Sequence, residues 1–229
     1  MKLLDIELSK KQEEQFNRYY ELLIEWNQKI NLTAITDKEE VWKKHFEDSV
    51  SIIKAVDMSE VESVIDVGTG AGFPGIPIKI LFPHIKLTLL DSLNKRINYL
   101  NLVIEELGLE DVTTIHGRAE DFGKDSKYRE SYDLCVSRAV ANLSTLSELC
   151  IPFVKVDGCF VSYKAEKAEE EIEMAKNAIS ILGGSVSDII DFVIPGTDYG
   201  RKLLLIKKYK GTPKKFPRKA GVPGKEPIV

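Results

Sequence analysis

Four glycines stand within eight residues in the stretch IDVGTGAGFPG, residues 65–75, which continues a run of β-forming residues. Glycine adopts positive φ without a Cβ penalty and lets a ligand approach the backbone closely. A helix that follows such a turn also offers free N–H groups in its first turn. The stretch therefore predicts a ligand site after a strand, with a plain tight turn of an α/β protein as the alternative.

Two nucleotide-binding patterns can be compared with this loop. A phosphate-binding P-loop needs Lys and Ser/Thr after its last glycine, and isoleucine and proline stand there instead. A dinucleotide fingerprint, G-x-G-x-x-G, can be read over 70–75, but that register leaves an acid and two turn residues before it unexplained. Starting from Asp66 gives D-x-G-x-G-x-G, whose glycines are Gly68, Gly70 and Gly72.

That register resembles motif I of the class I S-adenosylmethionine-dependent methyltransferases, in which an acid at a strand end precedes the glycine loop around the methionine half of the cofactor. Asp91 ends the next predicted strand, where its carboxylate can accept hydrogen bonds from both ribose hydroxyls, a feature shared with NAD proteins. The RAED stretch (118–121) follows the third strand, where methyltransferases of this class commonly place an acid near the adenine amino group. The resemblance therefore implies S-adenosyl-L-methionine as the cofactor.

The surrounding sequence predicts the elements that must position these residues. Ser9 and Gln12 fit a capping box before a helix through NRYYELLIEWNQKI, and a second helix is predicted over 38–56. Short β-rich runs then alternate with helical segments, which predicts parallel strands in a doubly wound sheet. In the helical segment SLNKRINYLNLVIEELG, Ser92 is the expected cap and Gly108 the expected end.

The last two predicted strands, GGSVSDIIDFVIP and RKLLLIKKY, are separated by only a few turn residues and must form an antiparallel hairpin. The expected fold class is α/β: a class I methyltransferase (Rossmann-like) doubly wound sheet, mostly parallel, with this terminal hairpin and with N-terminal helices before it. The expected domains are a helical extension packed on the core (1–60), a cofactor-binding methyltransferase core (61–209) and a basic tail rich in proline and glycine (210–229).

Composition bounds the class of protein. Hydrophobic residues make up 43% of the 229 positions and charged residues 30%, and neither a signal peptide nor a membrane span is evident, so we expect a soluble cytoplasmic protein. Cys135, Cys150 and Cys159 lie far apart in apolar runs, which indicates reduced core thiols. No zinc-type spacing occurs among the cysteines and histidines, so no metal is expected. No interface periodicity is seen, and a monomer is the default.

The C-terminal tail differs in charge from the rest of the chain. Residues 207–229 contain eight Lys or Arg and one acid, although the whole chain has a net charge of -4. Tyr209 and Phe216 are interleaved with these cations, and four prolines predict an extended, mobile segment. A solubilising terminus and a nucleic-acid contact through Lys214, Lys215 and Arg218 both stay open.

The absence of certain motifs limits which nucleobase atom can accept the methyl group. After the fourth strand the chain reads SRAVAN (137–142), not the Pro-Pro-aromatic motif of enzymes that methylate the adenine amino group. The cysteines are expected in the core, which disfavours attack on cytosine C5 through a thiolate. What remains is a nucleophile that needs no activation, such as a guanine N7, whose exposed lone pair needs no general base. Catalysis would then depend on holding N7, methyl carbon and sulfur in line, and no catalytic residue is assigned.

Several segments together resemble the bacterial RsmG family, also called glucose-inhibited division protein B (GidB), which methylates N7 of a guanosine in 16S ribosomal RNA. The matching pieces are WNQKINLT (26–33), HFEDS (45–49), IDVGTGAGFPGIP (65–77), LLDSLNKR (89–96), RAED (118–121), SRAVA (137–141) and the lysine that ends FVSYK (160–164). The basic ending is similar to that of family members from Gram-positive bacteria. The resemblance implies 16S rRNA or the small ribosomal subunit as the partner.

The resemblance also implies site residues. Cofactor contacts are implied at Gly68, Phe73, Ala119, Glu120 and Arg138, and the physical argument above adds Gly70 and Asp91. The side chain of Phe73 is expected to pack, not to react.

Substrate contacts are less sharply indicated. The H-x-x-D-S piece suggests that Asp48 and Ser49 line the substrate cleft, while the pattern alone makes His45 a hydrogen-bonded core histidine. Lys164, at a strand's carboxyl end, could contact RNA or could be an ordinary exposed lysine.

Other functions stay open at this point. A nicotinamide-dependent oxidoreductase would keep the sheet and Asp91, although no hydride-transfer constellation is found. A non-catalytic RNA-binding module would use the tail alone. Within the methyltransferases, another RNA site or another nucleobase atom is the alternative acceptor.

Overall fold

The computed structural model describes residues 2–138, 141–165 and 169–228, and a seven-stranded sheet runs through its centre. The strands are β1 (Ser63–Val67), β2 (Lys86–Asp91), β3 (Val112–His116), β4 (Tyr132–Arg138), β5 (Val154–Ala165), β6 (Gly184–Val193) and β7 (Gly200–Lys208). They lie in the order β3-β2-β1-β4-β5-β7-β6, and β7 is antiparallel to both of its neighbours while the other pairs are parallel. The predicted doubly wound sheet and terminal hairpin are confirmed. Because the strand order reverses between β1 and β4, the carboxyl edge opens a crevice there.

Helices cover both faces of this sheet. They are α1 (Lys10–Ile30), α2 (Gly75–Leu81), α3 (Asn94–Glu106), α4 (Ala119–Phe122), α5 (Leu143–Cys150), α6 (Glu169–Ile181) and α7 (Val222–Lys225), with short 3₁₀ turns at Met58–Glu60 and Ile151–Phe153. The helices α1 to α3 pack on one hydrophobic core, and α5 and α6 pack on a second core across the sheet. Ala139 and Val140 of the SRAVA piece, and residues 166–168, which precede α6 in the sequence, lie outside the described residues.

The N-terminal helix α1 is built as its sequence predicts. The Ser9 hydroxyl accepts a hydrogen bond from the Gln12 backbone and the Gln12 side chain accepts from the Ser9 backbone, which forms the expected capping box. From the other end of the same side chain, Gln12 Nε2 donates to the Ile80 carbonyl at 3.0 Å. Further along, the buried Tyr19 hydroxyl donates to the Ala71 carbonyl at 2.6 Å. The helix thus contacts the glycine stretch directly.

The second helix differs from the continuous α-helix predicted over 38–56. It starts as α-helix (Lys38–Val41), widens into a π-helix (Trp42–Glu47), returns to α-helix (Asp48–Val50) and ends as a 3₁₀ turn (Ser51–Lys54). We call this run, residues 38–54, the composite helix. Its residues 46–50 are all buried: the Phe46 ring packs on Phe16 of α1, and the Ser49 carbonyl accepts from the Tyr163 hydroxyl of β5. Single π-helical turns often occur at functional sites.

The boundaries of α3 were predicted correctly at one end only. The helix begins at Asn94 after Leu93, and Ser92 makes no cap; instead the Leu93 amide donates to the Asp91 carboxylate at 2.9 Å. Gly108, with φ of +58°, follows the last helical turn as expected.

The expectation of an extended, mobile tail is wrong. Phe216 is only 6% exposed in the second core, and Arg218 forms a two-pronged ion pair with the fully buried Glu148 of α5. A buried carboxylate needs a cation or several donors, and this requirement holds the tail against the protein. The basic composition of the tail therefore serves, in part, to neutralise an acid inside the fold.

No helix among the described residues is long and apolar enough to cross a membrane. The part of the chain that the structure describes also shows no cluster of three or more histidine, cysteine or acidic side chains suited to a metal.

Candidate functional site

The glycine loop after β1 adopts the backbone that its sequence requires. Gly68, Gly70 and Gly72 have φ angles of +71°, +61° and +99°, a region that side chains with a Cβ disfavour. A Cβ at Gly70 would meet only the Gly68 carbonyl, at 4.0 Å, so the space in front of this residue is open. The loop can therefore receive a ligand close to its backbone.

Asp66 holds the loop in this shape. Its carboxylate is fully buried, and Oδ2 accepts hydrogen bonds from the Thr69 hydroxyl at 2.7 Å and from the Gly75 amide at 2.8 Å. Burial raises the pKa of Asp66 to about 7, although these two hydrogen bonds oppose the shift. The motif acid thus joins the strand end to the first turn of α2.

Asp91 connects the next two loops at the same edge. Its Oδ2 accepts from the Gly70 amide at 2.9 Å, and its backbone carbonyl accepts from the Gly117 amide at 3.0 Å. Arg96 Nη1 lies 3.3 Å from Asp91 Oδ2, a longer distance. A carboxylate has about four acceptor positions, so Asp91 can accept a further hydrogen bond from a ligand hydroxyl. This free acceptor position suits a ribose hydroxyl of an adenosine group.

A cleft with a volume of about 750 Å³ opens beside the glycine loop. It is bordered by the loop, by the composite helix, by the end of β4 and by the turn between β6 and β7. The volume is within the range of small-molecule sites.

Asp48 and two arginines form a buried charged cluster on the cleft wall. Asp48 is 1% exposed, and its Oδ2 lies 2.6 Å from Arg138 Nη1. Arg201 makes two hydrogen bonds to the same carboxylate: Nε donates to Oδ1 and Nη2 donates to Oδ2, each at 2.7 Å. Burial alone would raise the pKa of Asp48, but the two guanidinium groups lower it below its ordinary value. Two cations and one anion leave one positive charge at the cleft.

Phe73 lies beside the cleft between His45 of the composite helix and Arg138. The His45 ring stacks on it with centroids 4.6 Å apart, and the Arg138 guanidinium lies 5.1 Å from its centre. Burial and the neighbouring Arg138 lower the pKa of His45 to about 4, and its Nε2 lies 2.8 Å from the Thr33 hydroxyl. The expected packing role of Phe73 is confirmed, and His45 is a neutral hydrogen-bonded residue.

Comparison with known proteins decides which site this is. The family model of rRNA small subunit methyltransferase G (GidB) matches residues 12–197. The chain belongs to this family. It is 57% identical to the ribosomal RNA small subunit methyltransferase G of Lactococcus lactis subsp. cremoris over 98% of this chain and 94% of that protein, and 53% identical to that of Bacillus subtilis over 97% and 93%.

Solved structures support the fold at much lower sequence identity. A SAM-dependent methyltransferase from Aquifex aeolicus is 19% identical with a TM-score of 0.55, over 74% of this chain and 93% of that one. A ribosomal protein L11 methylase from Lactobacillus delbrueckii is 17% identical with a TM-score of 0.55, over 73% and 79%. The fold is that of a class I methyltransferase, and this member of the rRNA small subunit methyltransferase G family depends on S-adenosyl-L-methionine.

Most of the residues that the sequence singled out lie together in this methyltransferase. One cleft is bordered by Gly68, Gly70, Phe73, Arg138 and Asp48. Asp91 contacts the glycine loop beside this cleft through the Gly70 amide. Ala119 and Glu120 start α4 beyond β3, where the Glu120 carboxylate accepts from the Gly221 amide at 2.8 Å.

Three substrate candidates have structural partners instead. Ser49 is fully buried and its hydroxyl donates to the His45 carbonyl, so it does not line the cleft. Lys164 is paired with Glu171 at 2.7 Å and Arg218 with Glu148, so neither cation is free for RNA. Lys214 and Lys215 are exposed.

Arg201 is the cleft residue that the sequence analysis missed. It lies at the start of β7, directly after the hairpin turn. Because β7 is antiparallel, its beginning lies at the carboxyl edge of the parallel strands, and this topological argument could have placed Arg201 at the site.

His45 should stay neutral throughout the physiological pH range. We expect the ring nitrogen resonances of His45, followed by NMR, to titrate near pH 4 and not near the ordinary pKa of 6.5, because burial and Arg138 disfavour the charged form. Since the unfolded chain binds this proton first, the corresponding contribution to stability is lost as the pH falls from about 6.5 to about 4. The His45→Gln variant assigns the signal, and a midpoint near 6.5 would contradict the structure.

Proposed function

We propose that the protein transfers a methyl group from S-adenosyl-L-methionine to N7 of a guanosine in 16S ribosomal RNA. The observation that carries the proposal is the near full-length similarity to ribosomal RNA small subunit methyltransferases G, combined with a glycine loop and an acid at the carboxyl edge beside an open cleft. The relatives' names give small-subunit rRNA as their substrate. The choice of N7 rests on the sequence resemblance and on the chemistry of the cleft.

The cofactor would bind along the carboxyl edge of β1 to β4. Gly68 and Gly70 would contact its methionine half, Asp91 its ribose, and Ala119 and Glu120 its adenine, with Phe73 and Arg138 at the cleft side. When bound, it supplies a methyl group on a positively charged sulfur. The unbalanced positive charge of Arg138 and Arg201 beside Asp48 favours an anionic neighbour, either the carboxylate of the methionine half or an RNA phosphate.

The cleft is well suited to an acceptor that loses no proton. The His45 ring has a pKa of about 4 and contacts Thr33, and two arginines occupy the Asp48 carboxylate and lower its pKa. Both groups are therefore weak proton acceptors near neutral pH. Guanine N7 carries its lone pair already exposed, so the residues of the cleft need only hold it in line with the methyl group.

Methyl transfer tests the proposal directly. We expect that purified protein incubated with methyl-labelled S-adenosyl-L-methionine and small ribosomal subunits, taken from cells that lack the gene, places the label in 7-methylguanosine after digestion to nucleosides. The Asp91→Ala variant should transfer no label, because the loop and the ribose lose their shared carboxylate.

Label in another nucleoside would keep the cofactor and overturn the N7 acceptor. An absence of label, with a folded protein that binds the cofactor, would overturn the substrate.

The exposed lysines of the tail are proposed to add RNA affinity. Replacing Lys214 and Lys215 together by alanine should weaken binding to the small subunit. The affinity should also fall less steeply with salt: the negative slope of log affinity against log salt should become shallower by about 2, because each lost phosphate contact releases about one counterion fewer. Replacing the exposed pair Lys10 and Lys11 on α1 provides the matched control. Unchanged affinity and slope in the tail variant would refute an RNA contact there.

A further inference from the structure

The C-terminal segment crosses the helix that carries two of the proposed cofactor residues. We call residues 212–226 the strap. It lies against α4 and α5, on the side of the sheet opposite α1. The four-residue helix α4 is too short to hold its own position by helical hydrogen bonds.

The strap holds the first turn of α4 through Glu120. The Glu120 side chain is 6% exposed, and its Oε1 accepts a hydrogen bond from the Gly221 amide at 2.8 Å. A buried carboxylate requires such a donor, so the direction of this side chain depends on where Gly221 lies.

The strap also holds the end of α4. Arg129 Nη1 donates both to the Gly123 carbonyl, at 2.7 Å, and to the Phe216 carbonyl, at 2.8 Å. Pro217 packs so closely on Gly123 that a Cβ at this glycine would lie 3.0 Å from the proline ring. Both ends of α4 are therefore fixed to the strap.

The strap is in turn anchored to α5 by buried polar contacts. Arg218 forms its ion pair with Glu148, and its backbone amide donates to the same carboxylate at 2.7 Å. Near the other end, the Thr145 hydroxyl donates to the Pro223 carbonyl at 2.9 Å. These contacts make the strap a rigid support and not a loose terminus.

The helix α4 lies next to the acid proposed to bind ribose. Asp91 and His116 are paired in the β2–β3 register, and the Gly117 amide donates to the Asp91 carbonyl. The chain enters α4 only two residues later, at Ala119. Any ligand that spans Asp91 and α4 is thus sensitive to the position of this short helix.

We propose that the strap is a positioning element of the cofactor site, which sets the place of α4 and the direction of the Glu120 carboxylate through the Gly221 amide. This inference rests on the proposed function, in which Ala119 and Glu120 contact the adenine end. The C-terminal segment then contributes to cofactor affinity without touching the reacting atoms, and Gly221, Arg218 and Thr145 are positioning residues.

The test uses two glycines in the same backbone region of the full-length protein. Gly221 has φ of +82° and Gly108, which follows the end of α3, has φ of +58°, and an added Cβ would meet no atom within 4 Å at either place. Alanine therefore strains both backbones comparably, but only Gly221→Ala should shift the amide that holds Glu120. We expect Gly221→Ala to raise the Kd for S-adenosyl-L-methionine, measured by calorimetry at 25 °C, by about fivefold or more, and Gly108→Ala to leave it within about twofold.

A second variant with a smaller change provides the test if Gly221→Ala does not fold. Thr145→Val removes only the hydroxyl that holds Pro223 and should raise the same Kd by about threefold. In methyl transfer both strap variants should raise KM for the cofactor with little change in kcat, because the groups around the acceptor are unchanged.

The outcomes separate the two proposals. If the wild type binds the cofactor and both strap variants bind it equally well, with only a lower Tm, the strap is merely structural and the inference is overturned. If the wild-type protein does not bind S-adenosyl-L-methionine at all, both the proposed function and this inference are overturned.

Discussion

The buried carboxylate of Asp48 joins three distant parts of the chain at the mouth of the cleft. It belongs to the composite helix, Arg138 to the end of β4, and Arg201 to the start of β7. An acid that is 1% exposed is very costly without a cation, and removing both arginines would leave its buried charge uncompensated. This constraint makes the N-terminal helices part of the cleft. It also fixes the terminal hairpin against them.

Other buried acids work in the same way around the carboxyl edge. Asp66 joins β1 to α2, Asp91 joins the end of β2 to the glycine loop, and Glu120 and Glu148 hold the C-terminal segment. Each carboxylate accepts from a backbone amide or a cation of a different segment. Because loops after separate strands would otherwise move independently, these contacts are what turn the strand ends into one surface.

Local patterns predicted the parts of this arrangement that local physics determines. The capping box at Ser9, the positive φ of the glycine loop and the alternation of strands with helices follow from neighbouring residues, and all are present. The glycine loop and the acid after β2 could be brought together because parallel strands share one carboxyl edge. Much of the candidate site was therefore foreseeable.

The failures concern residues whose hydrogen-bond or ion-pair partners no local pattern showed. Arg218 and Glu148 are 70 positions apart, so the tail's charge suggested RNA although one of its cations neutralises an internal acid. Lys164 has a partner in α6, and the carboxylate that accepts a backbone amide before α3 belongs to Asp91, while Ser92 makes no cap. A charge count cannot show such pairings, because it contains no information about which acids are buried.

The proposed cofactor site is one continuous surface, from the glycine loop through Asp91 to α4, on which S-adenosyl-L-methionine would bind with its methyl group toward the cleft. A crystal structure with the cofactor bound tests this most directly. The account predicts ribose hydroxyls within hydrogen-bond distance of the Asp91 carboxylate, adenine beside Ala119 and Glu120, and sulfur facing the cleft between Phe73 and Arg138. A cofactor bound away from Asp91, or turned so that its adenine enters the cleft, would contradict it.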